Sequence, residues 1–125
     1  MIRYLIDADC AILGLSGDYE VLRERITSLS PGDIAMSVVS YAEVALGTYV
    51  GKPPPPEVLE AFIAAIPLVA FDEAAARAYA LLPFRRARFD RLLAAHALSI
   101  GATVVTNNPS DFADVPGLMV ENWTA

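Results

Sequence analysis

The stretch Tyr4-Leu5-Ile6-Asp7-Ala8-Asp9, close to the N-terminus, is the starting point for interpreting the whole chain. It is a short apolar run that ends in two carboxylates, and such a run predicts a buried strand. Side chains two residues apart on a strand point the same way, so Asp7 and Asp9 face one crevice if the extended geometry continues that far. In open α/β sheets, ligands bind outside the carboxyl ends of the strands, which is where this pair falls.

The two neighbouring acids have two interpretations. Like charges at short distance repel, and burial raises carboxylate pKa values, so a bound divalent cation would relieve both costs. Alternatively, Asp7 merely ends the strand and Asp9 caps the helix that follows it. The stretch alone does not decide between them. The decision depends on whether other carboxylates reach the same place.

Length and composition restrict the class of protein. A chain of 125 residues fits one domain, which we expect to span 1–125. The hydrophobic fraction of 55% excludes disorder and indicates extensive burial, including an oligomer or partner interface. The single cysteine, Cys10, excludes an internal disulfide and a multi-cysteine metal site. With no secretory signal visible, we expect a cytoplasmic protein.

One uncharged stretch, Leu92 to Ser110, is long enough to raise the question of a membrane span. It contains His96, Gly101 and Asn107-Asn108-Pro109, and its hydrophobic period changes midway. We therefore interpret it as a helix followed by a strand and expect no contact with a membrane.

The distribution of charge is more informative than its total. The net charge of −6 argues against a sequence-independent coat on nucleic acid. Four of the nine cations nevertheless lie within seven residues, and these are Arg85, Arg86, Arg88 and Arg91. Such a cluster is usually a solvated face, but next to Asp90 it could bind phosphates.

The hydrophobic pattern predicts alternating strands and helices. Strands are expected at 4–6, 34–36, 68–70, 102–106 and 118–120, and helices at 18–29, 37–49, 57–66, 72–82 and 90–100. We expect short helical turns at 11–15, broken by Gly14 and Gly17, and at 110–112. Pro53 to Pro56 form an extended connector, and Asp18 and Asp72 are expected helix caps. This alternation predicts an α/β fold, a three-layer α/β/α arrangement around a short, mainly parallel central sheet.

Glu43 is the first acid beyond the N-terminal pair that could join a site. Ser40-x-x-Glu43 matches a capping box, and local sequence alone slightly favours that structural explanation. Glu43 is, however, surrounded by apolar residues with no cation nearby in sequence. An acid in such surroundings needs a partner, and a metal ion would serve.

The remaining candidates each have an ordinary structural explanation. Asp90 opens a helix, where the helix dipole favours an acid; the same field would keep Asp90 ionised and ready to hold a cation. Asp111 lies in a turn beyond a buried strand, which is unremarkable by itself. His96 lies inside an alanine-rich helix, and we expect a buried structural residue there more than a catalytic one.

Taken together, these residues form an ordered set of motifs that closely resembles the PIN-domain ribonucleases, specifically the VapC-type toxins of bacterial toxin–antitoxin pairs. The motifs, in chain order, are Leu5-Ile6-Asp7-Ala8-Asp9, Ser40-x-x-Glu43, Asp90-x-x-Leu93-Ala94-Ala95-His96-Ala97, Val105-Thr106-Asn107-Asn108, Asp111-Phe112, Val115-Pro116-Gly117-Leu118 and Glu121-Asn122-Trp123. The resemblance covers the length of the chain, and its second half is the most specific part.

The resemblance implies a metal-dependent endoribonuclease whose acids bind Mg²⁺ or Mn²⁺. By motif match, Asp7, Glu43 and Asp90 take the main catalytic and metal-binding positions, and Asp111 takes a weaker fourth catalytic position. Thr106 and Asn108 lie in the supporting motif at the end of a strand. The implied partners are a small cognate antitoxin and an RNA substrate, within a homodimer and a toxin–antitoxin hetero-oligomer.

Two departures from the family pattern affect the site. The family commonly has asparagine where this chain has Asp9, which adds a negative charge and a possible metal ligand. The region before Asp90 looks shortened, and its usual glycine-containing approach is replaced by Arg86-Ala87-Arg88-Phe89. We therefore expect a different substrate groove, and the RNA target does not follow from the resemblance.

Three alternatives remain open from the sequence. A haloacid-dehalogenase-type phosphatase also begins with a strand ending in Asp-x-Asp, here Asp7-Ala8-Asp9, and a receiver domain also has early acids and this length. Both normally use a lysine near the phosphoryl group, and the only lysine, Lys52, beside the proline run, looks badly placed for that role. The third alternative is a non-catalytic, partner-binding PIN domain.

Overall fold

A sheet of parallel strands forms the centre of the computed structural model, which describes residues 1–83 and 88–124. Within these residues the sheet has five strands in the order β3-β2-β1-β4-β5, and each neighbouring pair is parallel. The strands are β1 Tyr4–Ile6, β2 Ile34–Ser37, β3 Leu68–Val69, β4 Thr103–Val105 and β5 Val120–Glu121. The helices are α1 Ala8–Ser16, α2 Glu20–Thr27, α3 Val38–Tyr49, α4 Pro56–Ala65, α5 Glu73–Ala80 and α6 Arg88–Ile100, and a 3₁₀ turn spans Pro109–Phe112.

Helices cover both faces of this sheet, as the alternation of strands and helices predicted. On β1, Ile6 packs into a core with residues of α1, α2 and α4, whereas its neighbour Leu5 packs into a second core with α6. Adjacent residues of a strand point to opposite faces, so β1 contributes to both cores. The predicted three-layer α/β/α class is confirmed.

Helix α1 begins earlier and continues further than expected. Extended geometry ends at Asp7, so the helix begins at Ala8 instead of Ala11. Gly14 does not break the helix, and a Cβ atom there would make only an ordinary contact, 3.6 Å from Ile26 Cδ1 on α2. Gly17, at a φ of 82°, ends the helix in the left-handed conformation that glycine adopts easily.

Other helix starts also differ from the prediction. Tyr19 instead of Asp18 precedes α2, and no side chain caps that helix. Helix α4 begins at Pro56, the last proline of the run, because proline is tolerated in the first turn, where backbone N–H groups lack helical partners. Asp72 caps α5 as predicted, accepting a hydrogen bond from the Ala75 backbone N–H at 3.0 Å.

The uncharged stretch between Leu92 and Ser110 divides into most of α6, strand β4 and the start of the 3₁₀ turn. Its interpretation as a helix followed by a strand is thus confirmed. In the described part of the chain, no helix has the length and apolar character needed to cross a membrane.

Candidate active site

The first part of the site is formed where β1 and β4 end. The chain turns in opposite directions from β1, to β2 on one side and later to β4 on the other, so β1 and β4 flank a topological switch point, the usual ligand position in open α/β sheets. Asp7 follows β1, and its backbone N–H donates to Val105 O at 3.0 Å. Thr106 follows β4 and is fully buried.

Asp7 is held in place by two neighbours. It is the N-cap of α1, and its Oδ1 accepts a hydrogen bond from the Cys10 backbone N–H at 2.7 Å. The Thr106 hydroxyl also hydrogen-bonds to its carboxylate. The pKa of Asp7 is nevertheless raised to about 6, mainly because burial desolvates the charge, with further contributions from the negative charges of Asp9 and Asp90. The two hydrogen bonds only partly oppose this rise.

Asp9 lies in the first turn of α1, with its side chain exposed to solvent. The alternative in which Asp9 caps this helix is wrong, because Asp7 occupies the capping position and the helix has already begun. The shared strand geometry expected for Asp7 and Asp9 is also absent for the same reason. Asp9 still belongs to the acidic cluster, since its charge raises the pKa values of Asp7, Glu43 and Asp90.

The capping box that the sequence slightly favoured for Glu43 is not formed. Ser37 is the N-cap of α3, with Oγ accepting a hydrogen bond from the Val39 backbone N–H at 3.1 Å. Ser40 is the third residue of the helix, too late to cap it. Glu43 lies one turn further on and is therefore available to the site.

The electrostatics of Glu43 place it with the other acids. Its pKa is raised to about 7 by local desolvation first and then by the charges of Asp90, Asp9 and Asp7. The residue as a whole is exposed, so solvent weakens the effect of burial, and the three surrounding carboxylates are what tie Glu43 to the cluster. Glu43, Asp7 and Asp90 come from three different elements, so this proximity is produced only by the fold.

Asp90 lies in the first turn of α6, which begins two residues earlier than predicted. Its pKa is raised by desolvation and by the charges of Asp111 and Asp9, against an opposing effect of Arg91. Burial and the neighbouring acids thus act on Asp90 against the stabilisation of its charge that the start of a helix provides.

Asp111 completes the cluster from the 3₁₀ turn. Its Oδ2 accepts a hydrogen bond from Asn108 Nδ2 at 2.9 Å. The Asn108 backbone N–H donates to Thr106 Oγ1 at 3.0 Å, which links this turn to the hydroxyl that also contacts Asp7. Thr106 thus contacts Asp7, and Asn108 contacts Asp111.

The four arginines expected to contact RNA have different positions. Arg91 is 2% exposed, and its Nη1 donates to Asp114 Oδ1 at 2.9 Å while its Nη2 donates to Pro83 O at 3.0 Å. This burial removes Arg91 from the residues that we propose to contact RNA. Arg88 is exposed at the start of α6, and Arg85 and Arg86 lie outside the described residues.

The donor set fits a divalent cation held in an open site. Among residues 1–83 and 88–124, no three Asp, Glu, His or Cys side chains are close enough to form a complete set of metal ligands. Mg²⁺ does not require one, because it usually keeps several waters and takes one or two protein carboxylates together with substrate phosphates. The pKa values of Asp7 and Glu43 are raised first by desolvation and then by neighbouring acids, and a bound cation would offset both effects.

Two residues near the site were not predicted correctly from the sequence: the position of Lys52 was misjudged, and the role of Ser37 was missed. Lys52 was expected to lie away from the acids, but it lines the same cavity as Asp9 and Glu43. The sequence feature that could have drawn attention to Lys52 is that it is the only lysine of the chain. His96 is buried as expected, and its Nδ1 lies 2.7 Å from the Oγ of Ser37, which the sequence did not single out.

The fold and the site define an α/β protein with an acidic cluster at the carboxyl edge of a parallel sheet. The PIN domain family model matches residues 4–118, and the chain belongs to this family. It is 30% identical over 133 residues to the tRNA(fMet)-specific endonuclease VapC of Shigella flexneri, covering 99% of this chain and 100% of the relative. The protein of the same name from Salmonella typhimurium is 28% identical, with 98% and 99% covered.

A solved structure agrees with these relatives. The DNA-bound VapBC complex from Salmonella typhimurium contains a chain that superposes with a TM-score of 0.84 at 26% identity, covering 98% of this chain and 99% of that one. The resemblance to PIN-domain proteins of the VapC type, which the ordered motifs indicated, is thereby confirmed.

Proposed function

We propose that this chain is the toxin of a toxin–antitoxin pair and hydrolyses RNA phosphodiester bonds as an endoribonuclease that depends on Mg²⁺ or Mn²⁺. The observation that carries the proposal is the convergence of Asp7, Glu43 and Asp90, from three separate elements, into one acidic cluster. The charges of Asp90 and Asp7 both raise the pKa of Glu43, and the charge of Asp90 also raises that of Asp7. Relatives named as VapC endonucleases, similar over nearly their whole length, support the same activity.

The residues fit the needs of this reaction. A bound divalent cation would neutralise phosphodiester charge and activate water for attack. Asp7 and Asp90 would hold the cation with help from Asp9 and Glu43, and Thr106 would fix the orientation of the Asp7 carboxylate. Exposed Arg88 would contact the RNA backbone beside Asp90. Asp111 would contribute through its charge on Asp90.

A test of cleavage separates this proposal from its alternatives. Purified protein should cleave RNA in Mg²⁺ or Mn²⁺ and be inactive in EDTA, and Asp7→Asn should abolish cleavage without unfolding the protein. Asp18→Asn, which removes an exposed acid in the loop after α1, is the matched control and should remain active. Metal-independent cleavage, or full activity of Asp7→Asn, would contradict the proposal.

The proposed partner is a small antitoxin. The solved relative is a VapBC complex, and this chain has an apolar cavity of about 650 Å³ between α1, α2 and α4, with Ile26 and Phe62 in its wall. We propose that an antitoxin segment folds along this cavity and that one of its basic side chains enters among Asp7, Glu43 and Asp90. We also propose a homodimer, a toxin–antitoxin hetero-oligomer and action on RNA in the cytoplasm.

The alternative functions have less support. The position of Lys52 near Asp9 removes the sequence argument against a phosphatase, but the PIN family match covers the whole acidic site and favours a nuclease. A non-catalytic PIN domain would have no use for a cluster of uncompensated acids, which costs stability.

A further inference from the structure

A second cavity, of about 390 Å³, lies between α1 and α3 and adjoins the acidic site. Asp9 on α1 and Glu43 on α3 form part of its wall, together with the apolar side chains of Ile12 and Val44. Because two acids of the cluster line it, the cavity opens beside the position proposed for the reacting phosphate. It therefore extends the acidic site along the surface.

The direction of this α1–α3 cavity follows from the geometry of α3. Glu43 and Gly47 are four residues apart and lie on the same face of the helix, and both line the cavity. At a rise of 1.5 Å per residue, Gly47 lies about 6 Å beyond Glu43 along the helix. Lys52 follows the end of α3, and the chain folds back there, so that Lys52 lines the cavity beside Gly47. The acids and the lysine are thus separated by about one helical turn.

The segment that carries Lys52 is fixed against α3. The Lys52 backbone N–H donates to Gly47 O at 2.8 Å, and Thr48 Oγ1 donates to Pro54 O at 2.7 Å. The Lys52 side chain is exposed and forms no ion pair with any residue of 1–83 or 88–124. Its ammonium group is therefore free to contact an anion from outside the chain.

The middle of the cavity is open and apolar. Gly47 adds no side chain there, and a Cβ atom at Gly47 would meet only Lys52 Cβ, at 3.8 Å. Val44 is 2% exposed and packed in place, so its part of the wall is rigid. A flat, largely apolar group can lie between the acids and the lysine without displacing any part of the chain.

We propose that the α1–α3 cavity binds the nucleotide adjoining the scissile phosphate of single-stranded RNA, with its base against Ile12 and the open face at Gly47 and its next phosphate contacted by Lys52. The proposal rests on the proposed function, since the acids mark where the scissile phosphate lies. A free small anion would be repelled by Asp9 and Glu43. An RNA strand avoids this cost because it presents an apolar base in the middle and phosphates at each end.

The binding experiment measures affinity without cleavage. A fluorescent single-stranded oligoribonucleotide is titrated with Asp7→Asn protein across a range of salt concentrations, with and without the additional substitution Lys52→Met. Loss of one phosphate contact should make the slope of log affinity against log salt shallower by about 0.7, the contribution of one phosphate on a single strand. Arg77→Met, which removes an exposed cation on α5, is the charge-matched control and should leave the slope unchanged.

Two further variants separate charge from shape. Lys52→Arg keeps the charge and should restore the salt slope. Gly47→Leu should weaken binding several-fold by filling the cavity while leaving the salt slope intact, because Lys52 remains; its circular dichroism and thermal unfolding establish that the chain stays folded. In cleavage assays of otherwise wild-type protein, Lys52→Met should raise KM about 3- to 10-fold more for a long oligonucleotide than for a dinucleotide.

The outcomes distinguish the two proposals. If the wild-type protein cleaves no RNA, the proposed function fails. If it cleaves RNA but Lys52→Met changes neither the salt slope nor KM, or changes them no more than Arg77→Met does, the nucleotide subsite is wrong. An effect of Lys52→Met on antitoxin binding alone would assign the cavity to a protein segment and would also overturn the proposal.

Discussion

The surroundings of Asp7 both stabilise and destabilise its negative charge. It caps α1 and accepts a hydrogen bond from Thr106, which favour its charged form, yet burial and the charges of Asp9 and Asp90 raise its pKa to about 6. The rise means that the folded protein holds the charged carboxylate less well than water does. A structural cap alone would not require such surroundings, and the cation proposed for this site would offset the cost of the charge.

This conflict predicts how stability depends on pH. A carboxyl whose pKa is raised by folding binds its proton more tightly in the folded state, so the free energy of unfolding falls as pH rises from about 4 to about 7. Metal-free Asp7→Asn should therefore be more stable than the wild type at pH 8, by about 1–3 kcal/mol, and less different from it at pH 4. Asparagine also remains a good N-cap.

Denaturant unfolding in EDTA at pH 4 and pH 8 measures this difference. Comparison with Asp7→Asn at each pH cancels the opposite contribution of His96, whose pKa is lowered by burial and which destabilises the fold as pH falls below 6.5. Asp18→Asn should show no such pH dependence. Equal stability of Asp7→Asn and the wild type at pH 8 would contradict the interpretation of Asp7 as a strained ligand.

Asp9 provides a separate test at the level of one residue. The structure shows that it is not the cap of α1, so its remaining role is electrostatic. Asp9→Asn should weaken Mg²⁺ or Mn²⁺ binding but keep activity at high metal concentration, because the other acids remain. A metal titration of both proteins by calorimetry decides this, and identical affinities would show that Asp9 contributes nothing to the site.

At the scale of elements, the start of α3 determines where Glu43 points. Ser37 ends β2 and caps α3, and its Oγ also contacts Nδ1 of His96 on α6. The His96 ring packs edge-on against Phe71 at a centroid distance of 5.4 Å. One serine thus connects the strand, the helix that carries Glu43 and the helix that carries Asp90. Ser40, which the sequence proposed as the cap, has a buried Oγ with no hydrogen-bond partner among the described residues.

Two serine substitutions test this assignment against each other. Ser37→Ala leaves the Val39 N–H without its cap and removes the partner of His96, so it should destabilise the protein by about 1–3 kcal/mol. Ser40→Ala removes a buried hydroxyl that has no hydrogen-bond partner in the described part of the chain, and it should be neutral or slightly stabilising. Thermal and denaturant unfolding of the two variants gives the comparison. A larger loss of stability for Ser40→Ala than for Ser37→Ala would contradict this assignment and favour the capping box of Ser40 and Glu43.

At the scale of the whole molecule, the sequence predicted those features of the fold that depend on local sequence patterns. Hydrophobic period and turn residues gave the alternation of strands and helices, and the place of Asp7 after the first strand predicted a site at the carboxyl edge. Helix starts were less predictable, because Asp7 and Asp9, or Ser37 and Ser40, are equally good caps until the path of the chain is known. The positions of Arg91 and Lys52 were unpredictable for a similar reason. Tertiary packing buries Arg91, which was expected at the surface, and brings Lys52 near Asp9.

The acidic cluster also predicts how a partner would inhibit the whole molecule. Asp7, Glu43 and Asp90 need positive charge in any stable state, and a metal ion or a basic side chain of an antitoxin can supply it. Both cannot occupy the cluster together. Binding of the antitoxin and binding of metal should therefore be mutually exclusive, with each weakening the other by the same factor.

We expect this competition to be visible both in vitro and in cells. Excess Mg²⁺ should weaken the affinity of the chain for its antitoxin, measured by calorimetry at constant ionic strength. Expressed without the antitoxin, the chain should arrest growth, and Glu43→Gln should relieve the arrest because it removes one carboxylate charge from the cluster while keeping the shape of the side chain. Asp18→Asn should remain toxic. An antitoxin affinity that does not respond to Mg²⁺ would rule out insertion of a basic residue among the acids, and a harmless, well-expressed wild-type chain would rule out the toxin assignment.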